Sequence, residues 1–230
     1  ESLLDVAAIP EEVRPEAVAA ALEAFEASRR TDEAKRIVQT FADVDPAGQD
    51  LFAEVMLKNG AAKVQILLRA GNLREAAVQA KLLIAKAAIP SNTAIREAAT
   101  TAPWKVIQSA LLLRVAERPA DALRTITVLL DVQPMAAEAL LEKAHALASI
   151  GDASSMEAAF SLYKRLRAGA PTQSAMWWQC ELGQLQVLKK LGKNVDAIRP
   201  RLEWLRSQDP KLGGTATKQG FETLQVSLSR

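Results

Sequence analysis

The chain of 230 residues is rich in helix-forming residues and nearly balanced in charge. It contains 43 Ala and 30 Leu, 49% of its residues are hydrophobic, and only 4% are aromatic. The β-branched and aromatic residues that strands favour are sparse, so the composition excludes an all-β protein and argues against an α/β one. Lys and Arg number 29 against 27 acidic residues. Because nucleic-acid-binding proteins usually carry a strong positive excess, we expect no nucleic-acid partner.

Several kinds of site and segment are excluded equally early. The single cysteine, Cys180, rules out an intrachain disulfide and a cysteine-based metal cluster, and the single histidine, His145, leaves one candidate imidazole base. The longest run without charge, Ala168 to Cys180, has 13 residues and contains Pro and Gly, so it is too short to span a bilayer. The sequence therefore predicts no metal site, no cofactor, no membrane insertion and no catalytic motif. Because the chain starts at Glu1 without Met, we expect it to be part of a longer chain.

A spaced apolar pattern recurs along the chain. In three copies an Ala is followed by apolar residues four and seven positions later, and then by a Pro. These spacings put the apolar side chains on one face of a helix, and Pro falls where the helix has already ended. The regular copies are Ala34, Val38, Phe41 and Pro46; Ala122, Ile126, Leu129 and Pro134; and Ala159, Tyr163, Leu166 and Pro171. The looser copies are Ala76, Ala80, Leu83 and Pro90, and Ala197, Leu202, Leu205 and Pro210.

A second amphipathic helix precedes each of these helices, and a short turn separates the two. Gly71, Gly151 and Gly192 stand where the first helix of a pair would end. The turns at 29–32 and 118–121 lack Gly, and there Asp or Thr would cap the following helix. The predicted first helices are Pro15–Ser28, Ala61–Ala70, Pro103–Ala116, Ala136–Ile150 and Ala175–Leu191.

The five predicted helix pairs resemble the tetratricopeptide repeat family, whose unit has about 34 residues. The resemblance rests on the Gly-Asn and Gly-Asp turns, the Ala where paired helices cross, the apolar pair and the closing Pro. It implies an all-α fold, a right-handed superhelix (α-solenoid) of helix pairs in one domain. The units are residues 15–46, 57–90, 103–134, 137–171 and 175–210. The steps between pairing Ala residues are 42, 46, 37 and 38, longer than the family period, and the usual early aromatic is replaced by Val18, Val106 and Leu140.

The segments between the units also predict helix. Residues 46–59 would lengthen a helix that breaks at Gly60, and residues 91–102 would form a short helix capped by Ser91 or Asn92. The tail predicts a turn at 211–214 and a closing helix over 215–228. Three apolar residues of that helix would cover the open end of the last unit: Phe221, Leu224 and Leu228.

In the family that the chain resembles, the first helices line a concave groove that receives an extended peptide or a partner helix. When the family's groove positions are transferred one by one to this sequence, the side chains that would line the groove are acidic at its start, mixed in charge in its middle and polar to basic at its end. Some members of the family bind a peptide carboxylate between cationic side chains of adjacent units. That kind of clamp is disfavoured here, because the unit next to Lys58 and Gln65 has Trp104 and Leu111 where cations would be needed. The candidate partner-binding residues are Lys58, Gln65, Trp104, Arg114, His145, Gln179, Gln186 and Lys189.

Single residues carry competing interpretations. Trp104 is an anchor candidate for a partner, although packing at the start of its helix is favoured. Adjacent helical residues point about 100° apart, so we expect one of Trp177 and Trp178 in the core and the other partly exposed. His145, near Glu138 and Glu142 on a solvated helix, is interpreted as a groove-lining hydrogen-bonding residue and not as a catalytic base.

One cysteine and two basic segments are interpreted as structural features without a binding or catalytic role. Cys180 is expected to be a small buried side chain. The basic segments 164–167 and 189–190 lack interleaved aromatic residues and are interpreted as solvated helix faces.

The sequence thus predicts a non-enzymatic module that binds another protein or a peptide in its concave groove. Two alternatives stay open: an assembly scaffold that self-associates or spaces other domains, and a helical sensor for a small ligand or signalling peptide. The scaffold hypothesis predicts self-association that does not depend on Trp104, Arg114 or His145. The sensor hypothesis predicts a closed ligand pocket within the superhelix. The compartment also stays open, between a bacterial cytoplasm and an envelope space.

Overall fold

The described part of the chain is helical throughout. A computed structural model describes residues 5–28, 30–45, 49–86 and 92–228, and within them every regular element is a helix, which confirms the all-α class. Among these residues no helix combines the length and the apolar character needed to cross a membrane. The α-helices are α1 (Arg14–Ala27), α2 (Thr31–Val44), α3 (Gln49–Arg69), α4 (Leu73–Lys86), α5 (Asn92–Thr101), α6 (Pro103–Val115), α7 (Pro119–Val132), α8 (Ala137–Ile150), α9 (Ala153–Gly169), α10 (Ala175–Lys190), α11 (Val195–Gln208) and α12 (Thr215–Ser227).

The chain divides into two compact units, Glu1–Gly60 and Ala61–Arg230. In the first unit α1 packs against α2, and two short 3-10 turns precede α1. A small core joins Val6 and Val18 to Ile37 and Phe41. The guanidinium of Arg14 lies 3.4 Å from the Asp45 carboxylate and also donates to the carbonyl oxygen of Ile9, so it holds the ends of the α1–α2 pair.

In the second unit, consecutive helices from α5 onward pack against one another, and α4 packs on α6. Contacts join α6 to α7, α7 to α8, α8 to α9 and α9 to α10. Helices two apart also touch, since α8 contacts both α6 and α10, and α10 contacts α12. A continuous core of Ala, Leu and Ile side chains runs from α5 to α10. Thus α8 is a neighbour of both α6 and α10.

Small side chains at the positions where paired helices cross allow the two helices to come close together. Ala122 and Ala159 are fully buried, and a small side chain there allows close backbone contact. In the last pair the prediction was wrong: Ala197 is exposed, and Ile198 is buried instead. Ile198 stands four and seven residues before Leu202 and Leu205, the same spacing as in the regular copies, so an Ile occupies the place of the Ala.

The segments between the predicted units are helical with different boundaries. The residues after Pro46 do lengthen a helix, because α3 begins at Gln49; however, α3 continues through Gly60 to Arg69, so the predicted break was wrong. The predicted extra helix is present as α5, which packs on α6 and α7. Its suggested cap Ser91 lies outside the described residues, and the side chain of Asn92 is not described.

The turns follow the predicted chemistry where Gly is present. Gly151 ends α8 in a left-handed conformation with φ 85°, and Asp152 then caps α9 by accepting from the Ser155 amide at 2.8 Å. In the turns without Gly, Pro119 lies in the first turn of α7, as its fixed φ favours, but the suggested caps are not found. Thr31 is already the first residue of α2, and Asp121 pairs with Arg118 at 2.7 Å inside α7.

The closing helix α12 covers the last pair as predicted. Phe221 and Leu224 are buried and Leu228 packs beside them. Against expectation both Trp177 and Trp178 are buried. Their rings meet edge to face at 4.9 Å, and Phe221 of α12 covers Trp178 at 6.0 Å.

The helix α12 also reaches the turn between α3 and α4. A Cβ atom placed at Gly71 would lie 2.2 Å from Nε2 of Gln219, so this turn and α12 are in close contact. Gly71 has φ 73°, a conformation that favours Gly over other residues.

Candidate interaction surface

Two neighbouring helices, α8 and α10, carry rows of polar side chains that are at least partly exposed. Residues seven apart lie on one side of a helix, so Glu138 aligns with His145, and Gln179 aligns with Gln186. Near the C-terminal ends of both helices, Nζ of Lys190 donates a hydrogen bond of 3.3 Å to the carbonyl oxygen of Ala148. We name this set the α8–α10 face. Its members are Glu138, His145, Ser149, Gln179, Gln186, Lys189 and Lys190.

A buried ion pair lies beside this face. The guanidinium of Arg114, in the last turn of α6, donates to both carboxylate oxygens of Glu142 on α8, at 2.6 and 3.2 Å. The side chains of Arg114 and Glu142 are 17% and 6% exposed. A planar guanidinium that bonds both oxygens fixes the direction of the carboxylate as well as its distance. The pair therefore locks α6 and α8 in register.

The electrostatics of Glu142 are set by two opposing causes. Burial disfavours the charged carboxylate, but Arg114 and His145 outweigh it and hold the pKa of Glu142 below its usual range. Burial also opposes the charge on Arg114, and Glu142 reverses this, so the pKa of Arg114 is raised. Both groups are therefore ionised at neutral pH.

His145 is the exposed end of this network. Its Nδ1 lies 3.7 Å from the Glu142 carboxylate, and its side chain is 29% exposed. Its ring packs against Tyr163 of α9, with centroids 5.7 Å apart. Tyr163 is buried, and burial raises the pKa of its hydroxyl. The imidazole thus packs on a buried ring close to a buried carboxylate, and it presents hydrogen-bonding atoms at the surface.

The structure brings some of the predicted groove residues together and separates others. Arg114 and His145 meet through Glu142, and Gln179, Gln186 and Lys189 lie together on α10. Lys58 is exposed but belongs to the first unit, whereas Gln65 is half-buried on α3 in the second unit. Their place in a common groove stays a prediction.

Trp104 begins a helix that offers little free surface. Every residue of α6 is buried or half-buried, because α4, α5, α7 and α8 all pack on it. Trp104 is half-buried, with Nζ of Lys105 5.7 Å from its ring. Among α6, α8 and α10, the more accessible polar surface therefore lies on α8 and α10.

Sequence reasoning missed two buried carboxylates. Glu142 was expected on a solvated face, and that was wrong, since it is buried against Arg114. Glu181 of α10 is 2% exposed and pairs with Arg167 of α9 at 2.7 Å, so part of the basic segment 164–167 does not simply face solvent. The available signal was the position of Glu181 between Cys180 and Leu182 within an otherwise apolar stretch.

The thiol and the acidic side chains of the described residues form no reactive or metal-binding cluster. Cys180 is buried, as expected, and burial raises the pKa of its thiol to about 11. Within the described ranges, no three His, Cys, Asp or Glu side chains are arranged to hold a metal ion.

Comparison with known proteins adds no relative. No family model, no curated protein and no solved structure matches this chain significantly. The likeness to tetratricopeptide repeats therefore rests on the residues of the chain itself.

Proposed function

We propose that the second unit is a non-catalytic interaction module that binds a segment of another protein across the α8–α10 face. The proposal keeps the architecture implied by the resemblance, a right-handed superhelix of tetratricopeptide-like pairs. In such an array the first helices form one side, and a partner contacts several of them at once. Because fold alone does not decide function, the support must come from the face itself.

One observation carries the proposal: the partly exposed His145 packs on the buried Tyr163 ring and lies 3.7 Å from the carboxylate of a buried ion pair. A surface that is ordered before binding loses less conformational entropy when a partner docks. The neighbouring Lys190 is also tied to α8 by its hydrogen bond to Ala148. Polar groups on α8 and α10 would thus meet the partner with little rearrangement.

The distribution of charge indicates what the partner segment would look like. Glu138 lies near the N-terminal end of α8, whereas Lys189 and Lys190 lie at the C-terminal end of α10. Complementary charges across an interface fix its register and direction. We expect a segment with a basic residue near Glu138, hydrogen-bonding groups near His145 and Gln186, and an acidic residue near Lys190.

The test uses a variant that changes the face and spares the ion pair. His145→Ala/Gln186→Ala/Lys189→Glu leaves Arg114 and Glu142 untouched, so we expect a native circular dichroism spectrum. Chemical cross-linking in the source cells followed by affinity capture would identify a partner, and calorimetry with the purified partner would measure the affinity. We expect the variant to lose about tenfold or more in affinity.

The matched control places comparable changes on exposed residues of α9. Ser154→Ala/Ser161→Ala/Arg165→Glu should bind the partner as the native chain does. If native, face variant and control all bind equally, the α8–α10 face is not the binding surface and the proposal fails.

A second candidate function, self-association as an assembly scaffold, is favoured by a different surface. Val78 and Leu82 are 45% and 48% exposed and stand one turn apart on α4, and an exposed apolar stripe is a common site of association. Sedimentation velocity over a range of concentrations would test it. A concentration-dependent dimer that Val78→Lys/Leu82→Glu abolishes would support the scaffold, and a monomer throughout would reject it.

A further inference from the structure

A buried carboxylate on α10 is held by arginines from both neighbouring helices. Oε1 of Glu181 accepts from Nη1 of Arg167 on α9 at 2.7 Å and also from Nη2 of Arg201 on α11. Nε of Arg201 lies 3.4 Å from Oε2 of the same carboxylate. Glu181 is buried, while each arginine side chain is 32% exposed. One buried negative charge therefore faces two positive charges that reach the surface.

An exposed tryptophan adjoins these arginines. The guanidinium of Arg201 stacks on the Trp204 ring, 4.2 Å from its centroid. Trp204 is 44% exposed, unlike Trp177 and Trp178, which are buried in the core. Stacking restricts the ring to one orientation, so a large amphipathic surface is presented at a low entropic cost.

A further cation lies one turn from Arg167 on α9. Lys164 is exposed and stands one turn before Arg167 on α9, so the two side chains share a side of that helix. We name Lys164, Arg167, Arg201 and Trp204 the Arg–Trp patch. It carries the guanidinium of Arg201 on an exposed ring, the guanidinium of Arg167 on the same buried carboxylate and an exposed lysine one turn from Arg167, and the buried Glu181 cancels one of these three charges.

We propose that the Arg–Trp patch is a second docking surface, which takes an acidic protein segment with an apolar residue beside its carboxylates. The segment's carboxylates would accept hydrogen bonds from guanidinium N–H groups that Glu181 does not use, since each guanidinium has five such donors. The apolar side chain would lie on Trp204. The patch lies on the second helices α9 and α11, so it is distinct from the α8–α10 face and does not depend on the function proposed for that face.

An acidic peptide suits this surface better than a nucleic acid does. The cluster of positive charge is small, so it could contact only a few phosphates of a nucleic-acid strand. The chain as a whole carries a formal charge of only +2. Strong nucleic-acid binding needs many phosphate contacts.

The experiment measures fluorescence anisotropy with three labelled probes: a peptide of Glu and Leu, a peptide of Lys and Leu, and oligouridylate. We expect saturable binding of the Glu/Leu peptide alone, weakened by added salt because charges are screened. The variant Lys164→Glu/Trp204→Ala keeps both Glu181 contacts and should therefore fold. Its affinity for the Glu/Leu peptide should fall about tenfold or more.

Two controls separate this surface from the rest of the molecule. Lys63→Glu/Met135→Ala makes the same change in charge and removes another exposed apolar side chain outside the patch, so it should bind as the native chain does. The α8–α10 face variant should also bind normally. The proposal is overturned if the Glu/Leu peptide does not bind, if oligouridylate binds more tightly, or if the patch variant binds as well as the native chain.

Discussion

Gly183 of α10 lies directly against the ring of Tyr163 of α9. A Cβ atom at Gly183 would stand 2.6 Å from Cζ of Tyr163, closer than real Cβ contacts. Because Tyr163 also packs on His145 at 5.7 Å, this contact ties α10 to the residue at the centre of the proposed binding face. Close packing of α9 and α10 therefore requires Gly at this position.

The first prediction concerns this contact. Gly183→Ala would ordinarily stabilise the middle of a helix by about 1 kcal/mol, but here the added methyl meets a buried ring that has little room to move. Overpacking of this kind costs about 1–3 kcal/mol, so we expect the free energy of unfolding to fall by about 1 kcal/mol in urea denaturation. Gly169→Ala is the matched control, since a Cβ there meets nothing within 4 Å, and it should be neutral or stabilising. Equal effects of the two substitutions would show that the close contact is absent.

The second prediction concerns the Arg114–Glu142 pair. Glu142→Leu leaves the buried guanidinium of Arg114 without its partner, which should lower the free energy of unfolding by about 3 kcal/mol or more. Replacing both partners by apolar residues, in Arg114→Met/Glu142→Leu, removes the unpaired charge and should recover most of that loss. Thermal and urea unfolding of both variants would measure the loss and the recovery of the free energy of unfolding. A double variant less stable than the single one would contradict the prediction.

The third prediction concerns pH. The pKa of Glu142 is lower in the folded chain than in the unfolded chain, so its ionisation stabilises the fold above the unfolded value, about 4.3. That contribution is lost as pH falls through the folded pKa. Urea unfolding of the native chain and of Glu142→Gln should therefore give a stability difference that is largest near neutral pH and shrinks in acid. A stability difference that stays constant down to about pH 3 would show that Glu142 is not the source of the pH dependence.

The fourth prediction concerns Cys180. Burial, with a smaller contribution from the charge of Glu181, raises the pKa of its thiol to about 11. Because the thiolate is the reactive form, we expect Cys180 to react with iodoacetamide only after the chain is unfolded. Met135→Cys supplies an internal standard, since residue 135 is 80% exposed, and mass spectrometry should find one modified thiol in the native variant. Modification of native Cys180 at the rate of residue 135 would refute its burial.

Much of the fold follows from local signals. The turn at Gly151 and Asp152 and the apolar spacing of Ala122, Ile126 and Leu129 depend on residues close in sequence, so the sequence alone predicts these helices nearly to the residue. The last pair shows the limit of that reasoning. Ala197 and Ile198 are adjacent, and only packing against the preceding helix decides which of them enters the core.

The candidate sites were harder to predict because their partners are distant. Glu142 looks like an ordinary surface glutamate until Arg114, 28 residues away, is placed against it. Glu181 likewise needs Arg201, 20 residues further along the chain. Trp178 is buried because Phe221 of the closing helix covers it. None of these relationships has a periodic signature within a single helix.

The contact between Gly71 and Gln219 has a consequence for how the second unit comes apart. In a strictly linear stack of helices, each layer depends only on its neighbours, and the ends melt before the middle. Here the turn before α4 also touches α12, through the side chain of Gln219, although nearly the whole unit separates them in sequence. Detachment of α12 would remove this contact from the turn, so we expect native-state hydrogen exchange at the turn to become faster when α12 is destabilised.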